Sequence, residues 1–87
     1  MRILIVEDQE AITQLICDFY CRPKGHDCVV AKTIKEAVSA GTEFDCVVCD
    51  LNLPDSDGWN TLITMRARFP ARIPVIIMSG SLGQEDI

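Results

Sequence analysis

Three acidic residues stand where they could do chemistry, because each follows an apolar run. Glu7 and Asp8 follow the run that ends at Val6, and Asp50 follows the run that ends at Cys49. Carboxylates held close together cannot all ionise without cost, and a divalent cation is the natural remedy. Carboxylate, carbonyl and water oxygens form a ligand set that suits Mg²⁺. These residues therefore predict a magnesium site.

The same residues suggest phosphoryl chemistry. A carboxylate beside a divalent cation is a competent nucleophile towards a phosphoryl group. The hydroxyl of Ser79, which follows the last apolar run, could then hydrogen-bond the transferred oxygens. The simpler interpretation is that acidic residues cap helices, and we expect Glu10 and Asp57 to be of that kind. Asp8 and Asp50 directly follow strands and are not needed for a turn there.

Four short apolar runs predict the strands that position these residues. They cover residues 2–6, 28–31, 46–49 and 74–78, and their lack of alternation indicates strands of a parallel sheet, buried on both faces. Helical patterns separate the runs, which predicts right-handed crossovers and a doubly wound α/β fold. Ligands of such folds bind beyond the carboxyl ends of the strands, where the strand order switches. The acidic residues meet there if the first and third strands are neighbours.

Three helices are predicted between the strands. The first has apolar residues at helical spacing and stops at Pro23 and Gly25. The second begins with a capping box, Thr33 followed three residues later by Glu36, and ends at Gly41. The apolar residues that mark the first helix are Ile12, Leu15, Ile16, Phe19 and Tyr20, and those that mark the third are Trp59, Leu62, Ile63 and Met65. In the second helix we expect Ala37 and Val38 to face inward.

Length and charge restrict the classes of protein. The chain has 87 residues, a mass of 9.7 kDa and a formal charge of −5. This predicts one domain and argues against direct binding of nucleic acid, which selects basic surfaces. The longest apolar runs have four residues, far short of the ~20 that a membrane span needs. No secretory signal is visible, so we expect a cytoplasmic domain that does not contact membranes.

The cysteines are expected to be structural. The chain has five, and an odd number without an export signal does not indicate a disulfide framework. One C-x-x-C pair lies inside a predicted strand, where residues three apart point to opposite faces. A zinc site could be drawn from Cys17, Cys21, His26 and Cys28, but their spacing matches none of the common patterns. We favour reduced, mostly buried thiols.

Three stretches carry a family resemblance. They are RILIVED at residues 2–8, VVCDLNLPDSDG at residues 47–58 and PVIIMSG at residues 74–80. Together, in this order and at the ends of three predicted strands, they resemble the receiver domain of bacterial two-component response regulators. The resemblance implies a flavodoxin-like sheet with strand order 2-1-3-4, which is the order known for a chemotaxis receiver.

The resemblance also implies a role for each site residue. Asp50 would accept a phosphoryl group from a histidine of a sensor kinase or phosphotransfer protein. Glu7 and Asp8 would hold Mg²⁺, with Asp50 and the backbone carbonyl of Asn52 as further ligands. Ser79 would be the switch hydroxyl that moves towards the phosphate. The chain would then be a signalling domain that takes part in phosphoryl transfer as the acceptor and not as an enzyme.

The chain departs from the family pattern near its C-terminus. Receivers usually have five strand–helix units, whereas residues 84–87 would only begin a fourth helix. By comparison with the family pattern, we expect residues 1–87 to lack the fifth strand, the last helices and the family's phosphate-pairing lysine, since Lys24, Lys32 and Lys35 lie in the first half. We expect residues 1–87 to be one receiver domain that is incomplete at the C-terminus. An exposed fourth strand would favour a homodimer or an exchange of elements.

Other functions stay open at this point. A shortened receiver could be an interaction module that works without phosphorylation, which a loss of uptake at Asp50 with intact partner binding would indicate. A hydrolase with an aspartate nucleophile is disfavoured, because one large phosphatase family has a second Asp where Asn52 stands. Nucleotide binding is disfavoured because no glycine-rich phosphate motif follows the first strand.

Overall fold

The computed structural model describes residues 1–78. Its elements are β1 (Arg2–Val6), α1 (Glu10–Ile16), a π-helical turn (Cys17–Cys21), a 3-10 turn (Arg22–Lys24), β2 (Asp27–Ala31), α2 (Ile34–Ser39), β3 (Cys46–Asp50), α3 (Gly58–Arg68) and β4 (Val75–Met78). Ser79 and the helix expected to begin at Gln84 lie outside the described residues. In the part that is described, no helix is long and apolar enough to cross a membrane.

The strands form one parallel sheet in the order β2-β1-β3-β4. The predicted doubly wound, flavodoxin-like order 2-1-3-4 is therefore confirmed. After β1 the chain moves outward to β2 and then returns across β1 to β3, so the strand order switches between β1 and β3. The register pairs Val6 with Cys49. Residues that follow Val6 consequently lie beside Asp50.

Helices cover the two faces of the sheet with cores of different size. The larger core lies under α2 and α3, and the smaller one lies under α1 and the π-helical turn. Their buried members are, in that order, Leu4, Val6, Ala31, Ala37, Phe44, Val47, Cys49, Leu53, Met65, Phe69 and Ile73; and Ile3, Ile5, Cys17 and Cys21. Because β1 contributes to both cores, its carboxyl end is held firmly in the middle of the sheet.

The first helix faces the sheet with a stripe that differs from the apolar one. Much of the predicted apolar face is exposed, namely Leu15, Phe19 and Tyr20. The buried residues are Thr13, Cys17 and Cys21. These positions are four apart, which places them on the same side of the helical segment. Small side chains along the stripe let the helix lie close to the sheet.

The second helix begins as predicted. Oγ1 of Thr33 accepts a hydrogen bond from the N–H of Glu36 at 3.0 Å. The Glu36 carboxylate accepts from the N–H of Lys32 at 3.3 Å, one residue earlier than in the usual capping box. The expectation that Val38 faces inward is wrong, because it lies about 100° around the helix from the buried Ala37 and is exposed.

Glycines end two of the helical segments at the predicted places. Gly25 has a φ of 76° and Gly41 a φ of 89°, which is the left-handed region that residues with a Cβ avoid. Pro23 lies in the 3-10 turn just before Gly25. The chain can therefore reverse and enter β2 and the approach to β3.

The cysteine thiols are free, and four of the five are buried, while Cys28 is half-buried. This agrees with the structural role that the sequence suggests. Burial raises the pKa of the Cys49 thiol to about 12 and the pKa of Cys28 well above its usual value. Both thiols are consequently neutral, and poorly nucleophilic, near pH 7.

Candidate functional site

Three carboxylates meet at the switch point of the sheet. Glu7 and Asp8 follow β1, and Asp50 is the last residue of β3. One oxygen of each lies within 4.8 Å of one oxygen of each of the others. This meeting is what the strand order and the positions of the acidic residues predict. The arrangement offers several hard oxygen donors on one side of a common point.

Glu7 is the most deeply buried member of this acidic cluster, with 3% of its surface exposed. Its N–H donates to the carbonyl of Ala31 at 2.9 Å, which ties it to the end of β2. Its Oε2 accepts from the N–H of Gln9 at 3.3 Å. Burial raises the pKa of Glu7 to about 7; the Gln9 amide works against this shift, and the neighbouring carboxyl groups of Asp8 and Asp50 add to it. Without a cation, Glu7 therefore stays protonated at pH values well above those at which a glutamate ordinarily ionises.

Asp50 is also buried, with 8% of its surface exposed. Its Oδ1 accepts from the N–H of Asn52 at 3.1 Å, which fixes the orientation of the carboxylate relative to the loop that follows. The carbonyl of Asp50 accepts from the thiol of Cys49 at 3.2 Å. Asp8, in contrast, is exposed. The acidic cluster thus has two buried members and one that faces solvent.

Of the other two predicted site residues, Asn52 and Ser79, the structure describes only Asn52. Asn52 is exposed and lies two residues after Asp50, which puts its backbone in the loop at the same edge of the sheet. Ser79 lies outside the described residues. Met78 precedes it in the sequence and pairs with Asp50 in the register of β4.

The loop after Asp50, residues 51–57, is held from the side of α3 by a threonine that sequence reasoning missed. Thr61 is fully buried, and its hydroxyl lies 2.8 Å from both the carbonyl of Leu51 and Oγ of Ser56. The hydroxyl donates to the carbonyl, so the Ser56 hydroxyl donates to Thr61. The spacing of Thr61 four residues before the buried Met65 is the signal that could have placed it on the inner face of the helix.

The same loop is held from the side of α2 by Asp55, which sequence reasoning also missed. Its Oδ1 accepts from the N–H of Ile34 at 2.9 Å, and its Oδ2 accepts from the N–H of Lys35 at 3.1 Å. These amides lower the pKa of Asp55. No local sequence pattern predicts this contact, because it joins residues about 20 positions apart.

The residues of the acidic cluster fit a magnesium ion. All the donors are carboxylate oxygens, which Mg²⁺ prefers over nitrogen or sulfur. Burial, with a contribution from the neighbouring carboxyl groups, raises the pKa of Glu7, so its charged form is disfavoured unless a cation lies beside it. One exposed carboxylate leaves the cluster open to solvent, as suits a cation that keeps several of its waters.

The parallel sheet with carboxylates at its switch point defines a flavodoxin-like α/β domain with an acidic site. A family model, the response regulator receiver domain, matches residues 3–87. The chain therefore belongs to the response regulator receiver family, which confirms the resemblance seen in the sequence. The family's role is that of a phosphoacceptor in two-component signalling.

Several known proteins are similar to the chain. The cell cycle response regulator CtrA of Brucella ovis is 33% identical over 88 residues, which cover 99% of this chain and 37% of CtrA. The chain thus spans little more than a third of the curated relative. The non-phosphorylated HemR receiver domain from Leptospira biflexa is 28% identical, with a TM-score of 0.76 over 98% of this chain and 71% of that one.

A second similar structure contains a metal. The receiver domain of the sensor histidine kinase PA1611 from Pseudomonas aeruginosa has a magnesium ion coordinated in its active site cleft. It is 24% identical to this chain, with a TM-score of 0.73 over 98% of this chain and 72% of that one. At this identity the likeness supports the fold alone.

Proposed function

We propose that Asp50 is the residue that becomes phosphorylated, and that the site works with Mg²⁺. The observation that carries the proposal is the acidic cluster of Glu7, Asp8 and Asp50 at the switch point, with two of the three carboxylates buried. Buried carboxylates of like charge are costly unless a proton or a cation offsets them. Binding of a cation and acceptance of a phosphoryl group would explain why the carboxylates are held together despite this cost.

The proposed reaction moves a phosphoryl group from a histidine of a sensor kinase or phosphotransfer protein to Asp50. A carboxylate oxygen of Asp50 attacks the phosphorus, and the P–N bond breaks as the P–O bond forms. The electron pair of the broken bond stays on the histidine nitrogen. Mg²⁺, when bound, would neutralise charge on the phosphoryl oxygens.

The remaining site residues have supporting roles. Glu7 and Asp8 would hold the cation, together with Asp50 and the backbone carbonyl of Asn52. Ser79 would donate its hydroxyl to a phosphoryl oxygen. Support for the cation comes from the oxygen-only donor set of the acidic cluster. A single receiver domain over residues 1–87, a cytoplasmic location and self-association through β4 stay predictions.

Intact-mass spectrometry tests the proposal. The purified chain is measured before and after incubation with Mg²⁺ and a small phosphodonor such as acetyl phosphate. We expect a gain of one phosphoryl group in the wild-type chain and in Asp57→Asn, and no gain in Asp50→Asn. Asp57 is a control because it is an exposed aspartate in the same loop, immediately before α3.

A folded wild-type chain that takes up nothing would contradict the proposal. Intact partner binding under the same conditions would then favour an interaction module that works without phosphorylation. Equal uptake by Asp50→Asn and the wild-type chain would place the acceptor elsewhere. Circular dichroism of each variant establishes that it is folded before its mass is interpreted.

A further inference from the structure

The loop that follows Asp50 is connected to α2 by hydrogen bonds between residues about 20 positions apart in the sequence. We propose that Asp55 is a positioning residue for the metal site, which fixes the loop of residues 51–57 by binding the first two amides of α2. The inference rests on the proposed function, since it concerns the same site. We call the two hydrogen bonds from the N–H groups of Ile34 and Lys35 to the Asp55 carboxylate the α2 clamp.

The α2 clamp uses both oxygens of one side chain. The Ile34 amide donates to Oδ1 at 2.9 Å and the Lys35 amide to Oδ2 at 3.1 Å. Two bonds from a rigid backbone to one planar group fix its orientation as well as its position. The lowered pKa of Asp55 agrees with a carboxylate that is stabilised in its charged form.

Movement at Asp55 would pass directly to the site. The N–H of Leu53 donates to the carbonyl of Ser56 at 2.9 Å, and the N–H of Ser56 donates to the carbonyl of Leu53 at 3.2 Å. Asp55 lies inside this small ring. Asn52, whose amide binds Asp50 and whose carbonyl we propose as a metal ligand, immediately precedes the ring. The clamp, the ring and the ligand thus form one short continuous segment.

A simpler role for Asp55 would be to stabilise α2. That helix already has a cap of its own, because Oγ1 of Thr33 accepts from the N–H of Glu36. The two caps bind different amides of the same helix turn, but only Asp55 belongs to the loop of the site. Removing Thr33 therefore weakens α2 and leaves the loop attached, whereas removing Asp55 weakens α2 and releases the loop.

The test compares Asp55→Ala with Thr33→Ala. Calorimetric titration with Mg²⁺ gives the dissociation constant, and amide hydrogen exchange of the metal-free chain reports on Leu53 and Ser56. In Asp55→Ala we expect the Mg²⁺ dissociation constant to rise about tenfold, the lower end of what loss of a supporting contact costs a metal site, and both amides to exchange faster. Asp55→Asn keeps one acceptor oxygen, so we expect a smaller rise. In Thr33→Ala we expect both quantities to stay at the wild-type value.

Each result decides the inference. Equal Mg²⁺ affinity and equal exchange in Asp55→Ala and Thr33→Ala would overturn it, since Asp55 would then act only on α2. A wild-type chain that does not bind Mg²⁺ would overturn the proposed function together with the role at the metal site. The exchange of metal-free Asp55→Ala would still show whether the clamp holds the loop, so the two failures are distinguishable.

Discussion

The two strand ends that bring the carboxylates together are held in different ways. After β1, Glu7 is buried and its side chain has one backbone donor, the N–H of Gln9 at 3.3 Å. After β3, the loop of residues 51–57 is tied to α2 by Asp55 and to α3 by Thr61. The β1 end therefore contributes a buried carboxyl group whose side chain accepts one backbone hydrogen bond, whereas the β3 end contributes a loop held from both sides.

This difference indicates a division of labour within one site. The charge at the β1 end depends on a proton or a cation, because burial raises the pKa of Glu7. The geometry at the β3 end depends on hydrogen bonds that neither a proton nor a cation replaces. Changes of pH and of metal should act on the first end, and changes of hydrogen-bond partners on the second.

The largest expected effect concerns the pH dependence of folding at the β1 end. The pKa of Glu7 rises from 4.5 to about 7 on folding without metal, so between these values the folded chain binds a proton that the unfolded chain lacks. The stabilisation by Glu7 is complete below about pH 4.5 and is lost as pH rises to about 7, a change on the order of 3 kcal/mol. Urea denaturation at several pH values measures it.

Glu7→Gln should remove this slope, because glutamine does not ionise. Glu43→Gln is the control, since Glu43 is exposed and should leave the slope as it is. Addition of Mg²⁺ above pH 7 should restore stability to the wild-type chain, because a cation replaces the lost proton. An unchanged slope in Glu7→Gln would show that another group is responsible.

The next effect concerns geometry at the β3 end. Thr61→Val keeps the shape of the side chain but removes the hydrogen bonds to the Leu51 carbonyl and the Ser56 hydroxyl. We expect a loss of about 2 kcal/mol in the free energy of unfolding, because buried partners lose their hydrogen bonds. Thr64→Val makes the same change at an exposed position of the same helix. Equal urea midpoints for the two variants would contradict the role given to Thr61.

The smallest effect concerns the exposed acid at the β1 end. Asp8→Asn should weaken Mg²⁺ binding about tenfold, or about 1.4 kcal/mol, because one charged ligand becomes neutral while the fold is unaffected. Asp27→Asn, at an exposed position at the other end of the sheet, should bind as the wild-type chain does. Calorimetry on both variants decides whether Asp8 belongs to the site.

The fold and the acidic cluster could be predicted from the sequence because both depend on local patterns. Apolar runs mark the strands, and Glu7, Asp8 and Asp50 stand at their ends, so the switch rule brings them together. The stripe that faces the sheet could not be predicted, because its buried members, Thr13, Cys17 and Cys21, are small or polar, whereas the larger apolar residues Leu15, Phe19 and Tyr20 are exposed.

The contacts by which Thr61 and Asp55 support the site could not be predicted from the sequence pattern either. Thr61 is one polar residue among several in α3, and its burial follows from how the helix packs on the sheet. Asp55 reads as a turn residue after Pro54, yet its carboxylate binds amides about 20 positions earlier in the chain. Contacts of this kind are determined by the tertiary structure, so no periodic pattern in the sequence predicts them.

The position of the transferred phosphoryl group tests the central claim most directly. The chain is incubated with Mg²⁺ and acetyl phosphate, and the intact protein is then fragmented in a mass spectrometer. We predict that the added phosphoryl mass lies on Asp50 and is absent from Asp50→Asn. A phosphoryl group on Glu7, on Asp8 or on a residue outside the acidic cluster, such as His26, would contradict the account.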